Sequence, residues 1–309
     1  MNLSCVGYTL NGDEVALGVP LSIRFESSID QAQSRLTVTL SIKPTSSICR
    51  MALFQDTDCL FQGFIDWMEH TISEYGVCYR LSISSDSSRM MQNQVGPRHL
   101  INYSSEMLFA EYAKPYGAKG NHLAPATIAQ MEVTVGMTAW QVVDLFCRQT
   151  YQIVPLMARE GVLTTSIGDQ TWIIGGEDHP YTSLTQREDR QDMISVVHYP
   201  LNDEDLYFTK TMTNTTATKL DISRERYWKT PACWKSMRQQ GAAEVIRNSN
   251  HQLHSYEIVV PELMSVWPGD TVVLKGPIED GSYYIQSFTL LYDEDGARTK
   301  MTLWDLVQR

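Results

Sequence analysis

The sequence predicts a mostly β protein of the α+β class, in which two similar antiparallel β modules flank a small α/β segment. Three observations carry this. The chain closes on three strand-like runs joined by two turns: Val266-Trp267-Pro268-Gly269-Asp270-Thr271-Val272, Gly281-Ser282-Tyr283-Tyr284-Ile285-Gln286-Ser287-Phe288 and Thr299-Lys300-Met301-Thr302-Leu303-Trp304. A looser form of the middle run occurs early, as Phe61-Gln62-Gly63-Phe64-Ile65-Asp66-Trp67. Between them, from about Tyr103, the apolar spacing lengthens from the two-residue period of strands to the period of helices.

In the first part, Leu36, Val38, Leu40 and Ile42 alternate with Thr37, Thr39 and Ser41, the pattern of a half-buried strand. Leu21, Ile23 and Phe25 repeat it upstream, and Tyr79, Leu81 and Ile83 downstream. Ala52–Phe54 and Leu60–Ile65 flank Gln55-Asp56-Thr57-Asp58, a polar turn of hairpin length. Gly63 inside a strand pattern marks a bulge or a close backbone approach.

In the middle, Ser104 is placed to cap a helix over 105–114, ended by Pro115 and Gly117. Thr138 with Gln141 forms a capping box, and Trp140, Val143, Phe146 and Cys147 share one helical face. Tyr151–Leu156 and Gly161–Thr165 read as short strands. Further on, Met193–Tyr199 and Leu206–Thr213 are strand-like around the acidic loop Asn202-Asp203-Glu204-Asp205. Thr230 and Pro231 introduce a helix into the 234–247 region, where Gly241 weakens its second half. Tyr256–Val260 precedes the closing strands.

Composition narrows the function. The 309 residues are 43% hydrophobic and 20% charged, a globular balance that excludes disorder. A formal charge of −11 argues against passive wrapping of nucleic acid, because phosphate binding requires a basic face. The acidic surface fits a protein partner, a conduit that does not adhere to polyanions, or simple solubility. No apolar run approaches the roughly 20 residues of a membrane span. The Met1–Tyr8 stretch lacks the features of a secretory signal, so synthesis in a cytoplasm is expected. Six cysteines (Cys5, Cys49, Cys59, Cys78, Cys147, Cys233) lack any C-x-x-C pair and are expected as free thiols.

A search for chemistry finds little. There is no Gly-x-Ser-x-Gly nucleophile elbow. Gly175-Gly176 precedes Glu177-Asp178, which would repel phosphate, and reads as a turn. His251 and His254 have metal-pair spacing but no third ligand nearby in sequence, and read as solvated. Asp66, Glu69, Glu188, Asp189, Asp192 and Glu204 offer carboxylate pairs, as any acidic protein does. Asp86 and Arg89 read as a structural ion pair. Arg224-Glu225-Arg226-Tyr227-Trp228-Lys229 is the one aromatic–basic stretch suited to stacking single-stranded nucleic acid, and its glutamate dilutes the charge. The expectation is therefore no catalytic, cofactor-binding or metal residues, and no enzyme.

The order of the elements resembles baseplate hub proteins of contractile phage tails and phage-like contractile injection systems, the T-even and Mu-like tail hub family. The residues that carry the resemblance are Phe61-x-Gly63-x-Ile65-Asp66, Tyr79-Arg80-Leu81-Ser82-Ile83, Asp86-x-x-Arg89, Ile101-Asn102-Tyr103-Ser104-Ser105 and Tyr112-Ala113-Lys114-Pro115-Tyr116-Gly117. Near the end, Trp267-Pro268-Gly269-Asp270, Gly281-x-Tyr283-x-Ile285-x-Ser287 and Thr299-x-Met301-Thr302-Leu303 look like the family's second barrel. The resemblance implies two small antiparallel β-barrel (tube-type) domains, at 1–102 and 193–309, the latter containing one helix. A middle α/β domain at 103–192 separates them.

It also implies a structural hub: a homotrimer with pseudo-sixfold symmetry that joins the tail tube, or a tube initiator, to the central spike. Such a hub lines the channel and contacts other baseplate proteins. DNA or effector would only pass through, no membrane would be entered, and the site of action would be a virion or injection-particle baseplate. The sequence stops at Arg309 without an appended lysozyme or peptidase segment, so such activity is expected of another subunit. The alternatives are a tail-associated cell-wall hydrolase and a carbohydrate-binding tail module.

Overall fold

Strand forms over most of the runs where the two-residue period was read, although Leu21 and Ile42, at the ends of two of them, lie outside the strands and are exposed. The computed structural model describes residues 2–44, 47–74, 76–168, 170–250, 253–276 and 281–305. In its Arg35–Leu40 strand, Leu36, Val38 and Leu40 are wholly buried while the residues between them are partly exposed. The first module consists of Leu3–Thr9, Glu14–Gly18, Ser22–Ser28, Arg35–Leu40, Ile48–Gln55, Asp58–Ser73 and Gly76–Ser85, and every neighbouring pair is antiparallel. The second consists of Thr171–Ile174, Ser183–Glu188, His254–Val260, Thr271–Leu274, Gly281–Asp293 and Gly296–Asp305.

Both modules lie in one 13-stranded sheet. The outer edge of Gly281–Asp293 joins them. Its first part pairs with Thr271–Leu274, and its later part pairs with Ser22–Ser28 of the first module, from Ser287 opposite Ser28 to Tyr292 opposite Ile23. A single core follows. The Phe25 ring lies 5.0 Å from Phe61 of its own module and 5.2 Å from Phe288 of the other. Among the described residues the pairing ends at Glu14–Gly18 and Ser183–Glu188 without closing. The mostly β class with two similar β modules holds, and among the described residues the two modules share one core and one continuous sheet.

The modules repeat one strand plan. In the first, the order across the sheet is Ser22–Ser28, Arg35–Leu40, Gly76–Ser85, Asp58–Ser73, Ile48–Gln55, Leu3–Thr9. In the second it is Ser183–Glu188, His254–Val260, Gly296–Asp305, Gly281–Asp293, Thr271–Leu274, Thr171–Ile174. The last strand of this plan is antiparallel to its neighbour in the first module and parallel in the second, and the first module adds Glu14–Gly18 beyond it. The long strand of each is bulged at the same place, just after Ile65 and just after Ile285. Ile65 faces Ile83 as Ile285 faces Leu303, and Val38 faces Leu81 as Ile258 faces Met301. Across these three strands the numbers of matching residues differ by one constant value, so the repeat is one of register as well as order.

The second module is interrupted. Its first two hairpin strands, Ser183–Glu188 and His254–Val260, are neighbours in the sheet, yet residues 189–253 lie between them. That insertion carries its own sheet, with Val196–Tyr199 between Lys210–Thr213 and Glu225–Tyr227, packed by the helix Arg238–Asn250. The division expected at 192/193 is thereby corrected. Two strands of the 103–192 segment belong to the second module, while Met193–Tyr199 and Leu206–Thr213 are not barrel strands. The physical reason is that Ser183–Glu188 is an edge strand, almost wholly exposed, and carries little apolar pattern.

The middle unit buries Leu100, Tyr103, Leu108, Tyr112, Trp140, Val143, Phe146 and Cys147 in a second core. The Arg98–Ser104 strand, which straddles the 102/103 division, pairs with Thr127–Val133 and belongs here. Both bonds of the Thr138–Gln141 capping box form, at 2.8 and 3.2 Å. Ser104 accepts from the Met107 amide as expected, but the helix after it is α only to Leu108, then π over Phe109–Ala113 and 3₁₀ over Lys114–Tyr116. Tyr151–Leu156 is not a strand: Gln152 has φ +60°, and extended structure begins at Leu156. Pro231 stands before a 3₁₀ turn, Ala232–Met237, rather than at the first position of the α-helix. Gly241 is needed within that α-helix because a Cβ there would strike the Trp228 ring.

Candidate functional site

Of the residues that carried the resemblance, Phe61, Asp86, Gly117 and Trp267 line one cavity at the seam between the modules and the middle unit. At the end of the Gly76–Ser85 strand the chain turns into a short 3₁₀ segment at Asp86–Ser88. Arg50, two strands away, donates to both Asp86 carboxylate oxygens at 2.8 Å. Burial raises the Asp86 carboxyl, but the hydrogen bonds and charge of Arg50 outweigh it and hold the carboxyl below its ordinary value. Arg89, the partner expected for Asp86, lies instead 5.3 Å over the Phe64 ring. Gly117 ends the Lys114–Tyr116 turn at φ +103°, and a Cβ there would run into the Asp86 carbonyl. Gly63 has the close backbone approach expected of it, against the Ser84 carbonyl.

The Trp267-Pro268-Gly269-Asp270 turn closes the other side. Asp270 is 4% exposed, and its carboxylate accepts from the Trp267 amide at 2.9 Å, the Trp172 indole at 3.1 Å and Arg159 at 3.2 Å. The Trp267 indole donates in turn to the Met157 carbonyl at 2.8 Å. One aspartate thus locks the second module to the middle unit. A cavity of about 610 Å³ lies between the three parts, floored by Phe25, Phe61 and Trp267 and rimmed by Lys119 and Glu160. Its charged neighbours Asp86 and Arg159 are engaged in the pairs just described.

The far ends of the Asp58–Ser73 and Gly76–Ser85 strands run on past their outer neighbours as a bare hairpin. Ile48–Gln55 pairs with the long strand only as far as Phe64, and Arg35–Leu40 reaches only Tyr79. Beyond these points Trp67, Met68, Ile72 and Val77 are exposed, Ile72 at 73%. Met68, His70 and Ile72 point to the core face, as shown by their opposite residues Leu81, Tyr79 and Val77, yet among the described residues no core covers the hairpin's end.

The other candidates disperse. Asp66 sits at the bulge and accepts from the Ser84 hydroxyl at 2.5 Å. Glu69 lies on the bare hairpin, whereas Glu188 pairs with Arg190 at 2.5 Å on the edge strand of the other module. Asp189 pairs with Arg187. Glu204 and Asp192 are exposed. His251 lies outside the described residues, and His254 is a strand residue opposite Glu188. Among the described residues no group of three or more His, Cys, Asp or Glu side chains is placed to hold a metal ion. Gly175 is a turn residue whose amide donates to the His179 carbonyl. In the Arg224–Lys229 stretch, Arg224 donates to backbone carbonyls, Tyr227 stacks on His198 and Trp228 packs against the inserted unit's core. All six cysteines are free. Sequence reasoning missed Arg50 and the bare hairpin. The exposed apolar set, Trp67, Met68, Ile72 and Val77, carries no signal of exposure in the sequence.

No family model matches the sequence, and no curated protein does. Solved structures do match in fold. A tail protein from Neisseria meningitidis MC58 aligns with TM-score 0.76 at 13% identity, covering 99% of this chain and 97% of that one. The 43 kDa tail protein of prophage MuSo2 from Shewanella oneidensis aligns with TM-score 0.77 at 11% identity, covering 100% and 99%. An Escherichia coli component of the type VI secretion system, described as similar to the T4 bacteriophage tail proteins gp27 and gp5, aligns with TM-score 0.59 at 10% identity, over 92% and 73%. The fold is therefore that of phage-type tail proteins. The likeness to the Neisseria and Shewanella proteins runs through the whole chain, the inserted unit included.

Proposed function

We propose that this chain is a structural subunit of a contractile-tail baseplate hub, a homotrimer whose six similar β modules form a ring between the tail tube and the central spike. The observation that carries the reading is the duplicated strand plan: three chains with two matching modules each present six near-equivalent faces above and three chains' worth of symmetry below. Fold likeness along the whole chain to tail proteins supports it. So does the fold shared with a secretion-system component described as similar to gp27 and gp5. The site of action is a virion tail or injection-particle baseplate. The acidic charge of −11 suits a channel through which a polyanion passes without adhering. Among the described residues no helix is long and apolar enough to cross a membrane.

Native mass spectrometry of the full chain with its tube and spike proteins tests the proposal. Three copies bound to spike or tube support it. A lone monomer that joins neither overturns it. The hydrolase alternative predicts clearing in a cell-wall zymogram that is lost on Glu69→Gln or Glu188→Gln, whereas the structural reading predicts no clearing.

A further inference from the structure

The seam inside the chain shows how two modules join, and the repeat supplies the same two surfaces again, unused. Within the chain, the stretch after the bulge of Gly281–Asp293 pairs along its outer edge with Ser22–Ser28, the first hairpin strand of the other module. In the first module the matching stretch is Trp67–Ile72, and among the described residues no strand pairs with its outer edge. In the second module the counterpart of Ser22–Ser28 is Ser183–Glu188, whose outer edge is likewise unpaired among the described residues. An exposed two-stranded hairpin is at best marginally stable alone, and an uncovered strand edge seeks a partner.

We infer that Trp67–Ile72 of one copy pairs antiparallel with Ser183–Glu188 of a second copy of this chain, reproducing between subunits the seam found within each. The register follows residue by residue from the repeat. Tyr292 faces Ile23 within the chain, which places Ile72 opposite Leu184 of the second copy. Thr289 faces Glu26, which places Glu69 opposite Arg187. The first pair is apolar with apolar, covering a side chain now 73% exposed, and the second sets opposite charges across the strands. Neither match was used to set the register. The contact is head-to-tail, so it propagates from copy to copy and closes into a ring when the rotation permits. The inference rests on the self-associating subunit proposed above and names the surfaces through which it associates.

A disulfide trap tests it on the full chain. Residues directly opposite in an antiparallel pair have Cα atoms about 4.5–5.5 Å apart, within the roughly 4.4–6.8 Å span of a disulfide. The Ile72→Cys, Leu184→Cys double variant is expected to give covalent oligomers on oxidation, and the two single variants mixed together are expected to give covalent dimers. Ile72→Cys with Gln186→Cys, two residues out of register, is expected to link far less. Arg187→Glu is expected to raise the dissociation constant on the order of tenfold, and adding Glu69→Arg to restore it. Oligomers that assemble by native mass spectrometry but do not cross-link overturn this pairing and leave the trimeric hub standing. A chain that stays monomeric at all concentrations, alone and with its tail partners, overturns both.

Discussion

Arg50 reaches across two strands to hold Asp86 with two hydrogen bonds of 2.8 Å, pinning the exit of the first module to its own sheet. The pair is only partly exposed, at 30% and 21% for the two side chains, and its geometry is the two-pronged one that guanidinium and carboxylate favour. Removing either partner strands the other. Asp86→Ala is expected to lower unfolding free energy by about 2 kcal/mol in urea titration at neutral pH. Because the folded carboxyl is held below its ordinary value of 3.8, its contribution is present above that pH and fades as pH falls through the lower folded value. Stability should therefore fall less steeply below about pH 4 in Asp86→Asn than in the parent chain.

Asp270 is the second fixed point. Its buried carboxylate gathers three donors from three parts of the chain, so Asp270→Ala leaves the Trp172 indole and the Trp267 amide without acceptors. A loss of about 3 kcal/mol is expected. The same variant should show a change in tryptophan fluorescence, since both indoles border the affected joint.

Two glycines are required by close approach. At Gly63 an added methyl meets the Ser84 carbonyl, and at Gly117 it meets the Asp86 carbonyl from a backbone at φ +103°. In both places the obstacle is backbone, which cannot swing aside. Gly63→Ala and Gly117→Ala are each expected to cost about 2–3 kcal/mol by thermal or urea unfolding. Gly12→Ala, with nothing near the added carbon, should cost only about 1 kcal/mol or less, from its φ of +87° alone.

The cysteines should divide by accessibility. Burial pushes the Cys5 thiol up to about 12 and raises Cys147 further still; partial burial also raises Cys59, but that residue is exposed at the cavity rim and open to reagent. Iodoacetamide at pH 8 followed by peptide mass mapping should label Cys59 and leave Cys5 and Cys147 unmodified until denaturant is added.

Much of this fold was legible in the sequence because period-2 runs such as Leu36–Leu40 and Tyr79–Ile83 report burial directly. The Thr138–Gln141 box was legible because both of its bonds are local. The likeness of Phe61–Trp67 to Gly281–Phe288 was faint, since only Ile65 and Ile285 agree at matched positions around the bulge. It becomes plain only when register is compared. Ser183–Glu188 could not be assigned from sequence because its partner strand follows a folded insertion and its side chains mostly face water. Arg50 was missed as the partner of Asp86 because sequence reasoning looks to neighbours, and Arg89 was the nearest base. The bare hairpin went unassigned for a different reason: Met68, Ile72 and Val77 are apolar strand residues like those of the core, and the sequence does not show that among the described residues of a single copy the core stops short of them.

The central claim is that three copies of this chain set six repeated modules around one channel. Cryo-electron microscopy of the full chain assembled with its tube and spike proteins measures this directly. The account predicts three copies in a ring of six similar β modules, with the spike on the threefold axis and the tube on the pseudo-sixfold face. A particle with one copy of the chain, or with its two modules at unrelated radii and heights, would contradict it.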